Sequence, residues 1–175
     1  ENAGIFNHTN GWSVMAECRL GHGDQAYQYY RSSMPAAYNT RAEVRQSEPY
    51  VQAQTTYSTY SPRPGNTRTS WLTGAASWSY YSATRHILGI QPEVAGLRID
   101  PCLPSAWDQV SMQRLFRSSL YQIVIHNPEH VCKGVVRISL DGQEIPGNVV
   151  PVTGGPEHQV EVWLGKNRRE GSHTK

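Results

Sequence analysis

The sequence predicts an α + β chain: helices bearing long loops over residues 1–92, then an antiparallel β jelly roll over 96–165. Three observations carry this. Apolar residues recur at helical spacing in Trp12–Leu20 and in the run after Thr73. After Pro92 the period shortens to alternation, with Tyr121, Ile123 and Ile125 set against Gln122, Val124 and His126. Asp141-Gly142, between two such runs, is a strong hairpin signal.

Taken in order, residues 1–11 read as a loop, with Gly4, Asn7, Asn10 and Gly11. A short helix follows from Trp12 to Leu20, with Gly21 suited to its C-terminal cap. Asp24 is placed to cap a second helix that runs to about Ser33 and stops before Met34-Pro35. Residues 34–69 form a long irregular connection rich in Tyr, Thr, Ser, Pro and Gly. So long a connection is usually functional or disordered, and its aromatics argue against disorder. A helix from Thr73 to Leu88 closes at Gly89. Strands are then expected at 97–100, 110–117, 119–127, 135–140 and 158–164, with a turn around Arg117-Ser118-Ser119. Residues 166–175 are a polar tail, expected to be disordered.

Composition narrows the function classes. Ten tyrosines and five tryptophans stand against two phenylalanines. An apolar ring with a hydrogen-bonding edge suits a sugar ring. A net charge of +2, with no Lys/Arg block before the last residues, argues against nucleic acid as partner. Cys18, Cys102 and Cys132 are odd in number and widely spaced, which fits reduced thiols in a cytoplasmic protein and no metal site. No apolar run approaches membrane-spanning length. The opening Glu1-Asn2-Ala3-Gly4-Ile5-Phe6 reads as the interior of a longer protein, so a C-terminal fragment or one piece of a cleaved enzyme is expected.

The most informative stretch is Ser70-Trp71-Leu72-Thr73-Gly74-Ala75-Ala76. Small residues leave a helix N-terminus bare, with unpaired N–H groups and the positive end of the helix dipole. That end suits phosphate. The same residues also read as an ordinary Thr73 cap with room for close helix packing. His8, in a polar loop, has the chemistry to bind an anion or simply to bond backbone. Gln52, Gln54 and Thr56 share one side of an extended segment, a row suited to sugar hydroxyls or to a solvated strand edge. Glu43 and Glu48 lack a partner carboxylate at a meaningful spacing, and Arg41, Arg45, Arg63 and Arg68 read as loop cations.

Several motifs, in order along the chain, carry a resemblance: Asn2 through Trp12, Tyr29-Tyr30-Arg31, Met34 through Asn39, Glu48-Pro49-Tyr50-Val51, Trp71-Leu72-Thr73-Gly74, Ile87 through Ile90, and Leu97 through Pro104. Together they resemble the C-terminal part of the disaccharide phosphorylases of glycoside hydrolase family 94, cellobiose phosphorylase and its relatives. The resemblance implies the last helices of an (α/α)6 barrel over 1–92 and a C-terminal jelly roll over 96–165. It implies an inverting enzyme in which inorganic phosphate, a substrate and not a cofactor, attacks C1 while an Asp protonates the leaving oxygen. His8, Thr73 and Gly74 are implied to hold phosphate, and Gln54 the donor sugar or the phosphate beside it. The general acid is implied to lie upstream, so this segment carries no catalytic residue. Cellobiose is the expected substrate, with laminaribiose, cellodextrin, cellobionate or chitobiose as alternatives. The N-terminal remainder of the enzyme and a homodimer are the implied partners. A competing reading is a carbohydrate-binding module with Trp107, Trp163 and Tyr121 as its platform; a purely structural fragment is a third.

Overall fold

The computed structural model describes residues 4–166. Strand β1 (Gly4–Phe6) passes directly into helix α1 (Asn7–Leu20). The helix therefore starts well before Trp12. A tertiary contact sets that start: the Asn7 amide donates to the Ala53 carbonyl at 2.9 Å and to the Thr56 hydroxyl at 3.0 Å. Gly21 ends α1 in the left-handed region at φ 82°, and its neighbour His22 donates its N–H to the Glu17 carbonyl at 2.9 Å.

Helix α2 spans Gly23–Ser33. Asp24 is not its cap. It lies inside the first turn, and its carboxylate accepts the Ser105 N–H at 2.7 Å and the Ser105 hydroxyl at 2.9 Å. The carboxylate thus satisfies a distant loop in place of its own helix. A Cβ on Gly23 would lie 2.0 Å from the Leu103 carbonyl oxygen, so only glycine lets α2 sit this close to the β half.

The long connection is ordered into short pieces. A 3-10 segment (Pro35–Arg41) leads to α3 (Ala42–Arg45), then β2 (Ala53–Tyr57) and β3 (Thr67–Ser70). The order β1-β2-β3 makes a small antiparallel sheet. Helix α4 (Ala75–Ser82) continues as a π turn over Ala83–Ile87, in which the Leu88 N–H reaches the Ala83 carbonyl at 2.8 Å. Gly89, at φ 69°, is pressed against Asp100, where a Cβ would sit 2.2 Å from a backbone carbon.

Strands β4 (Ile90–Pro92) and β5 (Gly96–Ile99) form a hairpin that pairs Ile90 with Ile99. The division expected between residues 92 and 96 falls inside this hairpin. Strands β6 (Gln109–Phe116), β7 (Ser119–His126), β8 (Val135–Leu140), β9 (Gln143–Ile145), β10 (Val149–Pro151) and β11 (Glu157–Leu164) complete the chain. Two sheets result, ordered β10-β5-β4 and β6-β7-β11-β8-β9. The second is mixed: β11 runs parallel to β7 and antiparallel to β8, where antiparallel strands throughout were expected. Both tight hairpins have two-residue turns with positive φ at each position, Arg117-Ser118 at 48° and 69° and Asp141-Gly142 at 51° and 80°. That geometry matches the twist of the flanking strands.

Alternation sends Tyr121, Ile123 and Ile125 of β7 and Val160, Val162 and Leu164 of β11 inward. They join Leu97, Ile99 and Val150 in one core that continues into Val14, Cys18 and Ala26 of the helices. The helical and β halves are therefore fastened by burial of apolar surface, and Asp24–Ser105 fixes their register at the rim.

Candidate functional site

The three-stranded sheet organises one end of the molecule. Strands β1 and β3 both run antiparallel to β2, so their C-terminal ends lie beside the start of β2. From the end of β1 the chain enters His8; from the end of β3 it passes through Trp71 and Leu72 to Thr73 and Gly74. Ala53 pairs with Ser70, which puts Gln54 at that same end. Gln54 shares the β2 face that presents Thr56 to Asn7, the neighbour of His8.

Helices α1 and α4 leave this end side by side. Gly11 lies against the backbone of Trp78, and at the far end Cys18 and Arg19 line one cavity with His86, so the helices run parallel. Their N-termini, and the positive ends of their dipoles, point the same way. Aromatic rings fill the space between. His8 meets Trp12 edge-on at 6.0 Å, Trp12 meets Trp78 at 5.8 Å, and Trp78 lies under Gly74. His8 is thus a first-turn residue of α1 and not a loop residue.

Thr73 does cap: its hydroxyl oxygen accepts the Ala75 N–H at 3.1 Å. An accepting hydroxyl keeps its own proton, which remains free to donate outward. Gly74 sits at φ −75°, and a Cβ there would meet Trp78 only at 3.7 Å, an ordinary contact. Neither backbone conformation nor packing demands glycine at this position. What the missing side chain leaves is open access to the helix N-terminus.

Beside this end stands an aromatic edge that brings together Trp71, Tyr50 and Glu48 from two of the motifs in the sequence. Trp71 occupies the left-handed region at φ 70°, an unfavourable conformation for a bulky residue. Its indole N–H donates to Glu48 at 3.0 Å, and Tyr50 meets its ring at 6.3 Å. Glu48 also accepts from its own backbone N–H, and this bond together with the indole holds its carboxyl below the usual range. Both hydrogen bonds favour the charged carboxylate, which disfavours Glu48 as a proton donor. Glu43 lies exposed on α3.

Two of the four loop arginines, Arg45 and Arg68, bond within the scaffold. Arg45 is buried, and its guanidinium donates to the Glu48 carbonyl at 2.7 Å and to the Val51 carbonyl. Burial holds its pKa down. Arg68 donates to the Tyr57 hydroxyl at 3.1 Å. Arg41 lines a cavity of about 100 Å³ next to Asn7 and Thr56, and Arg63 is exposed in the β2–β3 loop. Asp100 is held by Lys133 at 2.9 Å.

The alternative aromatic platform does not assemble. Tyr121 is 1% exposed and belongs to the core. Trp163 is half-buried between Arg137, 3.4 Å from its ring centre, and a stacked His126. Trp107 packs against Tyr27 of α2. Alternating strand patterns put Tyr121 inside, a signal legible in the sequence. Among the described residues no group of His, Cys, Asp and Glu is arranged to hold a metal, and no helix is long and apolar enough to cross a membrane.

Fold and site define a class: a helical half with paired helix N-termini at an open, aromatic-rich edge, joined through a continuous core to a β half. Comparison with known proteins makes this particular. Residues 1–89 match the catalytic domain of the Glycosyl hydrolase 94 superfamily. The chain belongs to that family. It is 40% identical over 165 residues to the N,N'-diacetylchitobiose phosphorylase of Vibrio proteolyticus, a match covering 94% of this chain and 21% of that protein. It is 39% identical to the N,N'-diacetylchitobiose phosphorylase of Vibrio furnissii over 94% of this chain and 20% of that protein. It is 33% identical to the solabiose phosphorylase of Paenibacillus borealis over 93% of this chain and 21% of that protein. The chain spans about a fifth of the length of these curated relatives.

Proposed function

We propose that the protein containing this chain is an inverting phosphorylase of a β-linked disaccharide, and that this chain supplies the phosphate side of its site. One observation carries the reading: His8 and Thr73-Gly74 leave adjacent ends of one small sheet on two parallel helices, at a glycine that the fold itself does not require. Phosphate there is offered the Thr73 hydroxyl proton, the Gly74 N–H, the His8 ring and two aligned helix dipoles. Gln54, from the neighbouring strand, reaches the donor sugar or the phosphate.

Phosphate is the nucleophile at C1, so the enzyme supplies no covalent nucleophile and no base to activate water. Protonation of the leaving oxygen falls to a carboxylic acid in the remainder of the polypeptide. In this reading the rest of the enzyme is the necessary partner of the chain, and a homodimer is its assembly.

The phosphorylases named above support N,N'-diacetylchitobiose as the first substrate to test, with cellobiose as the comparison. The full-length protein is incubated with each disaccharide, with and without phosphate. Consumption of N,N'-diacetylchitobiose to N-acetylglucosamine and its α-1-phosphate, only in phosphate, is the expected result. Faster turnover of cellobiose would move the substrate while keeping the reaction. Equal cleavage in phosphate-free buffer would show a hydrolase and overturn the proposal.

A further inference from the structure

Far from the proposed phosphate site in sequence, three residues of the β half make a second arrangement of hydrogen-bonded side chains. The buried His158, on β11, directs Nδ1 at the Asp141 carboxylate, 2.8 Å away, and Nε2 at the Thr153 hydroxyl, 3.2 Å away. Asp141 is itself fixed: its second oxygen accepts the Gln159 N–H at 2.8 Å. With the Nδ1 proton given to the carboxylate, Nε2 is left as the acceptor for the Thr153 O–H. A hydroxyl, an imidazole that accepts its proton, and a carboxylate that orients the imidazole are the parts of an activated nucleophile, recognised by geometry and role.

We propose that Thr153, His158 and Asp141 form an acyl-accepting site for small O-acyl esters. Thr153 is exposed, in the loop Val152-Thr153-Gly154-Gly155-Pro156. Nothing lies within 4 Å of a Cβ built on Gly154, so the loop is open to solvent at the residue after Thr153. A Cβ on Gly155 would come within 3.2 Å of the imidazole, so glycine lets the loop close over it. The loop is pinned at its base, where Ser119 donates its hydroxyl to the Gly155 carbonyl at 2.6 Å. Tyr121 covers the imidazole with its ring 5.1 Å away. The hydrogen bond from His158 holds the Asp141 carboxyl below its usual range, which keeps it charged as the orienting group.

In the reaction, Thr153 Oγ1 forms a bond to the ester carbonyl carbon and gives its proton to His158 Nε2. The carbonyl–leaving-group bond breaks, and the departing oxygen takes that proton. Water then attacks the acyl-threonine with His158 again accepting the proton, releasing the carboxylic acid and restoring the threonine.

The test treats the full-length protein with p-nitrophenyl acetate and, separately, with a fluorophosphonate probe, followed by peptide mass spectrometry. The expected result is acetyl or phosphonyl label on Thr153, kept in Thr153→Ser, absent in Thr153→Ala, and reduced at least about tenfold in Asp141→Asn. Thr153→Ala should leave phosphorolysis unchanged, which shows the variant folded and keeps this result independent of the phosphorylase reading. Absence of label on Thr153, or label unaffected by Asp141→Asn, would make the three residues a structural clasp between the β8–β9 turn and the loop before β11 and overturn the proposal.

Discussion

Gly11 of α1 is in contact with Trp78 of α4: a Cβ built on Gly11 would stand 3.0 Å from the Trp78 Cβ and 3.0 Å from its carbonyl oxygen. The carbonyl belongs to a helix backbone and cannot swing away. This pair sets the spacing of the two helices whose N-termini carry His8 and Gly74. Gly11→Ala should destabilise the protein by about 1–3 kcal/mol through overpacking. It should also raise the KM for phosphate, because the two N-termini move apart. Thermal unfolding and phosphate-dependent kinetics of the full-length enzyme measure both, and an unchanged Tm would sink the packing argument.

Gly74→Ala should behave in the opposite way. The backbone there is already right-handed helical and the added methyl meets nothing closer than an ordinary contact. Stability should hold, or rise by up to about 1 kcal/mol through the stiffer unfolded chain. Phosphate KM should nevertheless increase, since in the proposed site the methyl would stand where the anion approaches. Loss of stability with unaltered phosphate kinetics would show that glycine serves the fold.

Thr73 caps α4, and the proposed phosphate site gives its hydroxyl a second role. Thr73→Val removes the cap on Ala75 and the outward O–H together, at about 1 kcal/mol of stability for the cap. Thr73→Ser restores both. Rescue of Tm by serine without rescue of phosphate KM would divide the two roles and count against the phosphate assignment.

Asp24 joins the halves through Ser105, and the backbone N–H of Ser105 holds its carboxyl below the ordinary aspartate value of 3.8. A depressed folded pKa contributes stability that is present above the ordinary value and lost as pH falls through the folded one. The carboxylate is largely exposed, so screening keeps the effect small, about 1 kcal/mol or less. The stability difference between wild type and Asp24→Asn should therefore be largest near neutral pH and vanish in acid. A difference that grows on acidification, in urea unfolding across the pH range, would contradict this.

Glu48 is assigned to hold Trp71 and not to protonate a leaving group. Glu48→Gln should leave kcat within a few-fold of wild type, whereas loss of a general acid costs about 10²–10⁴-fold. A kcat collapse in Glu48→Gln would return it to the chemistry.

The elements set by local pattern were legible in the sequence. Tyr121-Ile123-Ile125 alternate because one sheet face is buried, and Val135–Leu140 is a strand up to the Asp141-Gly142 turn because that dipeptide tolerates two positive φ angles. Thr73 at a helix start and the family motifs along the chain were equally local. Features that depend on distant partners were not. Asp24 has the form of a helix cap, yet it serves Ser105, since two elements far apart in sequence meet there. Helix α1 begins at Asn7 because β2 supplies the acceptors for its amide. The strained Trp71, the parallel pairing of β11 with β7, and the meeting of His158 with Asp141 and Thr153 also depend on that assembly. Periodicity, capping and turn chemistry act within a few residues and are written in the chain; register between strands and contacts across a core exist only once the chain has closed on itself.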